Sequence, residues 1–331
     1  MTGEEESTGG RGNRRRFAEE AREERPDLAL LCLLIGAEAA SVPSGGAERA
    51  AKERGREEAC PNDDGPEEVG GEADDREEDT APVPDEGGTD EAGVLESEIE
   101  LDRLAGLLPY ATARGPQDWA RALAQLLGTE LGFRGAPPDY QRLESSLLQS
   151  VLRRRRGLPI LLSVVWMEVA RRAGAPVYGV ALPGHFVVGF GDPSGEHVLA
   201  DPYDGGRTLS GSDVERLVAD ATGSRGQLSE TVFQPAGPRE IVLRILNNIR
   251  AWASARPEHS AVQLWALEMS LLLPHHPAQL RYEHARLLVE RGDFLEGAAE
   301  MEDYAEVVEA AQPSAAEAVR KAAHAARARL N

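Results

Sequence analysis

Two residues in the second half of the chain have the types and spacing for acid–base chemistry. They are His185 and Asp201, carried by the short β-rich runs HFVVGF and HVLADPY, with GDPSGE between the runs. Asp192 to Gly195 has the composition of a hairpin turn, and closing it there sets His185 approximately opposite Asp201 or Pro202. Cross-strand neighbours touch, and a carboxylate beside an imidazole orients the ring and stabilises its charged form. This is the orienting half of a nucleophile–histidine–aspartate triad, so the question becomes where a nucleophile would come from. The two cysteines, Cys32 and Cys60, lie far upstream, one in an apolar run and one in an acidic stretch expected to be disordered. A metal site on His185 and His197 lacks a second ligand at close helical spacing and a nearby cysteine, so neither metal nor cofactor is expected. His275 and His276 sit between prolines and read as turn residues.

The elements that would position this pair are legible on either side. SSLLQSVLRRRRGLPILLSVVWMEVARRAG reads as a short helix, a basic turn at Arg153 to Arg156, and a long helix. Leu162, Val165, Val169 and their neighbours make the long helix apolar nearly all round, which marks a central, buried helix. The arginines leading into it are expected to be solvated or paired with nearby carboxylates. After Gly174 the period switches from helix to strand, giving an α+β arrangement. Upstream, VLESEIELDRLAGLLPYA and PQDWARALAQLLGTEL have helical character, the latter with Trp119, Leu123 and Leu126 or Leu127 at helical spacing. The run Leu28 to Val42 is too short to span a bilayer and follows acidic residues, so it reads as a core helix starting near Pro26 or Asp27. From Pro238 the chain is helical in pieces broken at Pro257, Pro274, Pro277, Gly292 and Pro313. Ala285, Gly292 and Ala298 fall where a tetratricopeptide repeat needs small residues, enough for one or two units.

The chain has 331 residues, 41% of them hydrophobic, and a formal net charge of −21. Residues 57 to 98 hold 18 Asp and Glu against one basic residue, Arg76, so the remainder is close to neutral. Such a balance argues against nucleic-acid binding, and no membrane association is expected. Residues 1 to 16 lack an apolar period and are expected to be disordered, as is an acidic insertion at about 43–92. The resulting division is a domain over 17–236 that contains the insertion, then a tetratricopeptide-like helical region over 237–331. A lone pair of cysteines fits a cytoplasmic, reducing location, and the Arg, Ala and Gly usage suggests a GC-rich bacterial genome.

The run from LGFRGAPPDY through PGHFVVGF, followed by ADPYDGG, resembles the SirB-type branch of the transglutaminase-like superfamily. Three motifs carry the resemblance: Arg156, Gly157 and Pro159 opening the central helix, Gly184, His185 and Phe186 opening a strand, and Asp201, Pro202, Gly205 and Gly206 after the next. The resemblance implies a papain-related α+β fold in which His185 and Asp201 match two triad positions. In active relatives a cysteine sits at the N-terminus of the central helix, about fifteen residues before its closing glycine, where the helix end favours thiolate. Counting back from Gly174 gives Pro159, which has no nucleophilic atom. Ser163 is about one turn further on, roughly 6 Å away and on the expected core face, too far for a substitute nucleophile. The resemblance therefore implies a pseudoenzyme whose cleft and helical tail bind a protein or peptide partner. Two alternatives stand beside it. One is a cysteine-independent acyl-transfer or amide-hydrolysing enzyme using His185 and Asp201 with Ser163, a bound water or a thiol from another chain. The other is an adaptor acting through the tail alone.

Overall fold

The computed structural model describes residues 6–40, 89–109, 114–223 and 229–329. Helix α1 (Glu6–Glu20) is followed by α2 (Leu28–Ala40), α3 (Thr89–Gly106) and α4 (Pro116–Leu123), the last continuing as a wider π-helical turn over Ala124–Glu130. After two short 3₁₀ turns, Pro137–Gln141 and Leu143–Ser146, come α5 (Leu148–Arg154) and the central helix α6 (Pro159–Arg172). Pro159 occupies the first turn, where a missing N–H leaves no helical bond unmade. Every residue from Pro159 to Ala170 is buried, as expected for a helix apolar on all sides. Around it pack Leu31 and Ile35 of α2, Leu101 of α3, Leu123 of α4 and Phe190 of the sheet. Trp166, fully buried, meets Phe133 edge-on with ring centroids 6.1 Å apart.

One antiparallel sheet carries the strands β1 (Val177–Val180), β2 (Val187–Gly191), β3 (His197–Asp201) and β4 (Arg207–Leu209) in sequence order. Val188 pairs with Ala200 and Gly191 with His197, so the turn at Asp192 to Gly195 closes the β2–β3 hairpin. Side chains alternate between faces: Val188 and Phe190 enter the core around α6, whereas Val187 and Leu199 pack with Val214 and Val218 of α7 (Gly211–Thr222). Neither β4 nor α7 was anticipated from the sequence, although Ser210 and Asp213 form a capping box at the start of α7.

The chain ends in helices α8 (Pro238–Ser254), α9 (Ser260–Leu272), α10 (Gln279–Arg291), α11 (Phe294–Glu309) and α12 (Pro313–Ala328). The first two share the core of the central helix through Ile241, Val242, Ile245, Trp265 and Met269. The last three close over a cluster of small residues, among them Ala285, Ala298, Ala305 and Ala316. A division at 236/237 thus falls inside the main core.

Two expectations are corrected. Disorder was expected over residues 1 to 16, but the chain is helical from Glu6, because Phe17 is buried and Arg14 is ion-paired to Glu38 and, at 2.8 Å, to Glu268. The acidic insertion lies outside the described residues up to position 88, and its last part, 89–92, belongs to α3. Cys60 lies outside the described residues too.

Candidate functional site

Asp201 ends β3 and caps the 3₁₀ turn Pro202–Asp204, accepting the Tyr203 backbone N–H on Oδ1 at 2.9 Å. The Gly206 N–H donates back to the Asp201 carbonyl at 2.7 Å, and Gly205 and Gly206 adopt φ of 62° and 85°. A methyl group on Gly206 would lie 2.8 Å from Ala124 Cβ, so glycine lets this turn sit directly on the π-helical segment. The other carboxylate oxygen, Oδ2, accepts from His185 Nε2 at 3.0 Å, and only 3% of the Asp201 side chain and 10% of the His185 side chain are exposed.

His185 lies just before β2, which begins at Val187 and not at His185 itself. It closes a tight turn, its N–H donating to the Leu182 carbonyl at 3.2 Å with Gly184 at φ 71°. Arg244 of α8 holds this turn: Nη2 donates to the carbonyls of Leu182 (2.6 Å) and His185 (2.7 Å), and the guanidinium lies 5.7 Å from the Phe186 ring. Burial lowers the Arg244 pKa, but a guanidinium stays protonated at neutral pH. Tyr203 stands edge-on to the imidazole at 5.9 Å and to Tyr140 at 6.2 Å. Burial, with Tyr140, Asp139 and Asp201 nearby, pushes the Tyr203 phenol up to about 12 while Arg156 opposes, so its hydroxyl is neutral at pH 7. With Nε2 on Asp201, the imidazole Nδ1 has no hydrogen-bond partner among the described residues.

Pro159 occupies the first turn of α6 and is buried, as are Gly157 and Pro202. Ser163 is fully buried and donates to the Phe186 carbonyl at 3.3 Å, so its hydroxyl faces the core. Cys32 is buried in α2, and burial, with Glu168 and Asp27 nearby, pushes its thiol well above the usual range. The arginine run does not behave as one solvated group. Arg154 reaches the buried Asp139 at 3.5 Å, Arg155 donates to the Leu131 carbonyl from a left-handed conformation, and Arg156 is half-buried beside Tyr203. His197 lies at the far end of β3 from Asp201, bonded to the Gly195 carbonyl, so it does not join His185. Among the described residues no three His, Cys, Asp or Glu side chains converge as a metal site would need. His275 has φ 60° and His276 bonds the Leu273 carbonyl, both within the turn between α9 and α10.

Tyr140, Tyr203 and Arg244 were not singled out from the sequence. Tyr203 lay within the DPYDGG motif and Arg244 within LRILNNIR, but the partners of Arg244 are 59 and 62 residues away, beyond any local pattern.

Residues 96–247 match the family model described as transglutaminase-like superfamily, and residues 249–331 match a tetratricopeptide-repeat model. A UPF0162 protein of Xylella fastidiosa is 33% identical over 163 residues, 48% of this chain and 58% of that protein. Another, from Pseudomonas aeruginosa, is 39% identical over 114 residues, 34% of this chain and 41% of that protein. The chain thus spans about half the length of the curated relatives it matches. Among solved structures, the crystal structure of menin overlaps with a TM-score of 0.37 at 12% identity, covering 89% of this chain and 69% of that one. Among the described residues no helix is long and apolar enough to cross a membrane. The sheet-and-helix core and the helices behind it make this an α+β chain with a transglutaminase-like domain and a C-terminal tetratricopeptide-like region.

Proposed function

We propose that this is a non-catalytic transglutaminase-like protein of the SirB type, a cytoplasmic pseudoenzyme that works by holding a protein or peptide partner. The observation that carries the reading is the start of the central helix. The His185–Asp201 pair keeps the geometry of a general base and its orienter, yet the helix end that would present a nucleophile is the buried Pro159. Ser163 supports the same reading, since its hydroxyl is committed to the Phe186 carbonyl, and Cys32 is enclosed in α2. What remains of the site is the His185–Asp201 pair, with Tyr203 edge-on to the imidazole. The tetratricopeptide-like match supports an interaction role for the helices behind it.

The test is capture of partners by the full chain, by His185→Ala and by a chain ending at Ala278. The expected result is a defined set of proteins held by the first two and lost with α10–α12. A set indifferent to that truncation contradicts the role given to the tail. One observation favours a second reading, cysteine-independent acyl transfer or amide hydrolysis: the pair remains in hydrogen-bond contact at 3.0 Å. A covalent adduct on the full chain that is absent from His185→Ala would establish that reading instead.

A further inference from the structure

A groove of about 460 Å³ runs between the 3₁₀ turns at Pro137–Ser146 and helix α8. Its charge is one-sided. Arg142 and Arg256 line it and no Asp or Glu does. Arg142 is exposed, with no ion-pair partner among the described residues. Arg256 is held in place without a carboxylate: Nη1 donates to the Trp252 carbonyl and Nη2 to Gln141 Oε1, each at 2.6 Å, and the guanidinium lies 4.6 Å from the centre of the Trp252 ring. A guanidinium fixed by neutral groups keeps its full charge available to an incoming anion.

The groove also carries a polar group that nothing in the fold uses. The buried Nε1 of Trp252 has no hydrogen-bond partner among the described residues, and the Ser146 hydroxyl and the half-buried Asn248 carboxamide open onto the same groove. A buried N–H is normally bonded, so this one points to a ligand that brings an acceptor. Leu158 and Trp252 give it an apolar wall, and Tyr140, 48% exposed, stands at its rim. Cations along the edge, amide-matching groups within and an apolar wall fit an extended peptide with alternating carboxylate and aliphatic side chains. A nucleic acid fits less well, because the groove sets only two cations against a polyanion.

We propose that the groove between the Pro137–Ser146 turns and α8 is a docking site for an acidic, aliphatic-rich peptide segment of a partner protein. It rests on the reading of this chain as a partner-binding protein, and adds to the contact made by the tail a second one at the junction of the two matched regions.

The probe is a fluorescein-labelled peptide of alternating glutamate and leucine, titrated into the full chain at low and high salt. Saturable binding that weakens with salt is expected, with Arg142→Glu and Asn248→Asp each weakening it about tenfold by setting a carboxylate against the ligand's own. Binding by either variant as tight as by the unsubstituted chain overturns the proposal, as does tighter binding of a labelled oligonucleotide. To identify the occupant, p-benzoylphenylalanine is placed at the exposed Ala251 on the groove and irradiated. Cross-links to the peptide support the proposal, whereas links to residues 43–88 of the same chain or to a second copy assign the groove elsewhere and overturn it. If the peptide fails while the chain ending at Ala278 still loses its partners, the groove assignment fails and the broader reading stands.

Discussion

His185 and Asp201 keep the contact that a working triad needs, and the residues around them show how narrowly that contact is held. Asp201 accepts two hydrogen bonds in a nearly fully buried site, so Asp201→Ala leaves a ring nitrogen and the Tyr203 N–H unpaired. A loss of about 1–3 kcal/mol in urea unfolding is expected, since unpaired buried donors lose their solvation without return. Gly206→Ala should be as damaging, because the new methyl meets Ala124 at 2.8 Å on a backbone at φ 85°. Gly132→Ala is the control: its φ is 73° but nothing lies within 4 Å, so only the backbone strain of roughly 1 kcal/mol should register. Cys32, enclosed and with its thiol pushed up, is expected to resist iodoacetamide at pH 8 in the folded chain and to react in urea. Rapid labelling of the native chain would contradict its placement. The contact of His185 with Asp201 was legible from the hairpin, but the register was not: Val188 faces Ala200, so His185 reaches the carboxylate diagonally from the turn before β2 and does not lie opposite it. Tyr140 and Arg244 were not, because their roles come from chain segments that meet only on folding.

At the scale of elements, the central helix was readable from its unbroken apolar surface, and the β2–β3 hairpin from its turn. Helix α1 was not, since ESTGGRGNRRRFAEE is polar and rich in glycine and its order depends on distant partners of Arg14 and Phe17. Strand β4 has only three residues and half-exposed or exposed side chains, too short for a period-2 pattern to register. The clamp between α8 and the turn at Leu182–His185 gives this scale its prediction. Arg244→Ala removes both hydrogen bonds to that turn. A loss of roughly 2–4 kcal/mol is expected by thermal unfolding, together with a shifted and broadened His185 ring signal by NMR. An unchanged His185 signal would mean that the turn holds its shape without α8.

For the whole molecule, the core does not divide where the sequence patterns change. Ile241, Val242, Ile245, Leu246 and Ile249 of α8 are buried in the same cluster as the central helix. At about 1.5–3 kcal/mol each, these side chains match the entire stability of an ordinary domain, about 5–15 kcal/mol. A chain ending at Gly237 is therefore expected not to fold, whereas one ending at Ala278 keeps the shared core and should show a cooperative melt by circular dichroism. The change in pattern at Pro238 was visible in the sequence; the burial of α8 against α6 was not, because helical periodicity shows that a face is apolar without naming what covers it. The central proposal is that this chain does not perform acyl chemistry. Its most direct test is incorporation of a fluorescent primary amine into proteins of the native lysate by the full chain and by His185→Ala. The account predicts the same background level for both. Incorporation or peptide cleavage by the full chain that disappears in a folded His185→Ala would contradict it.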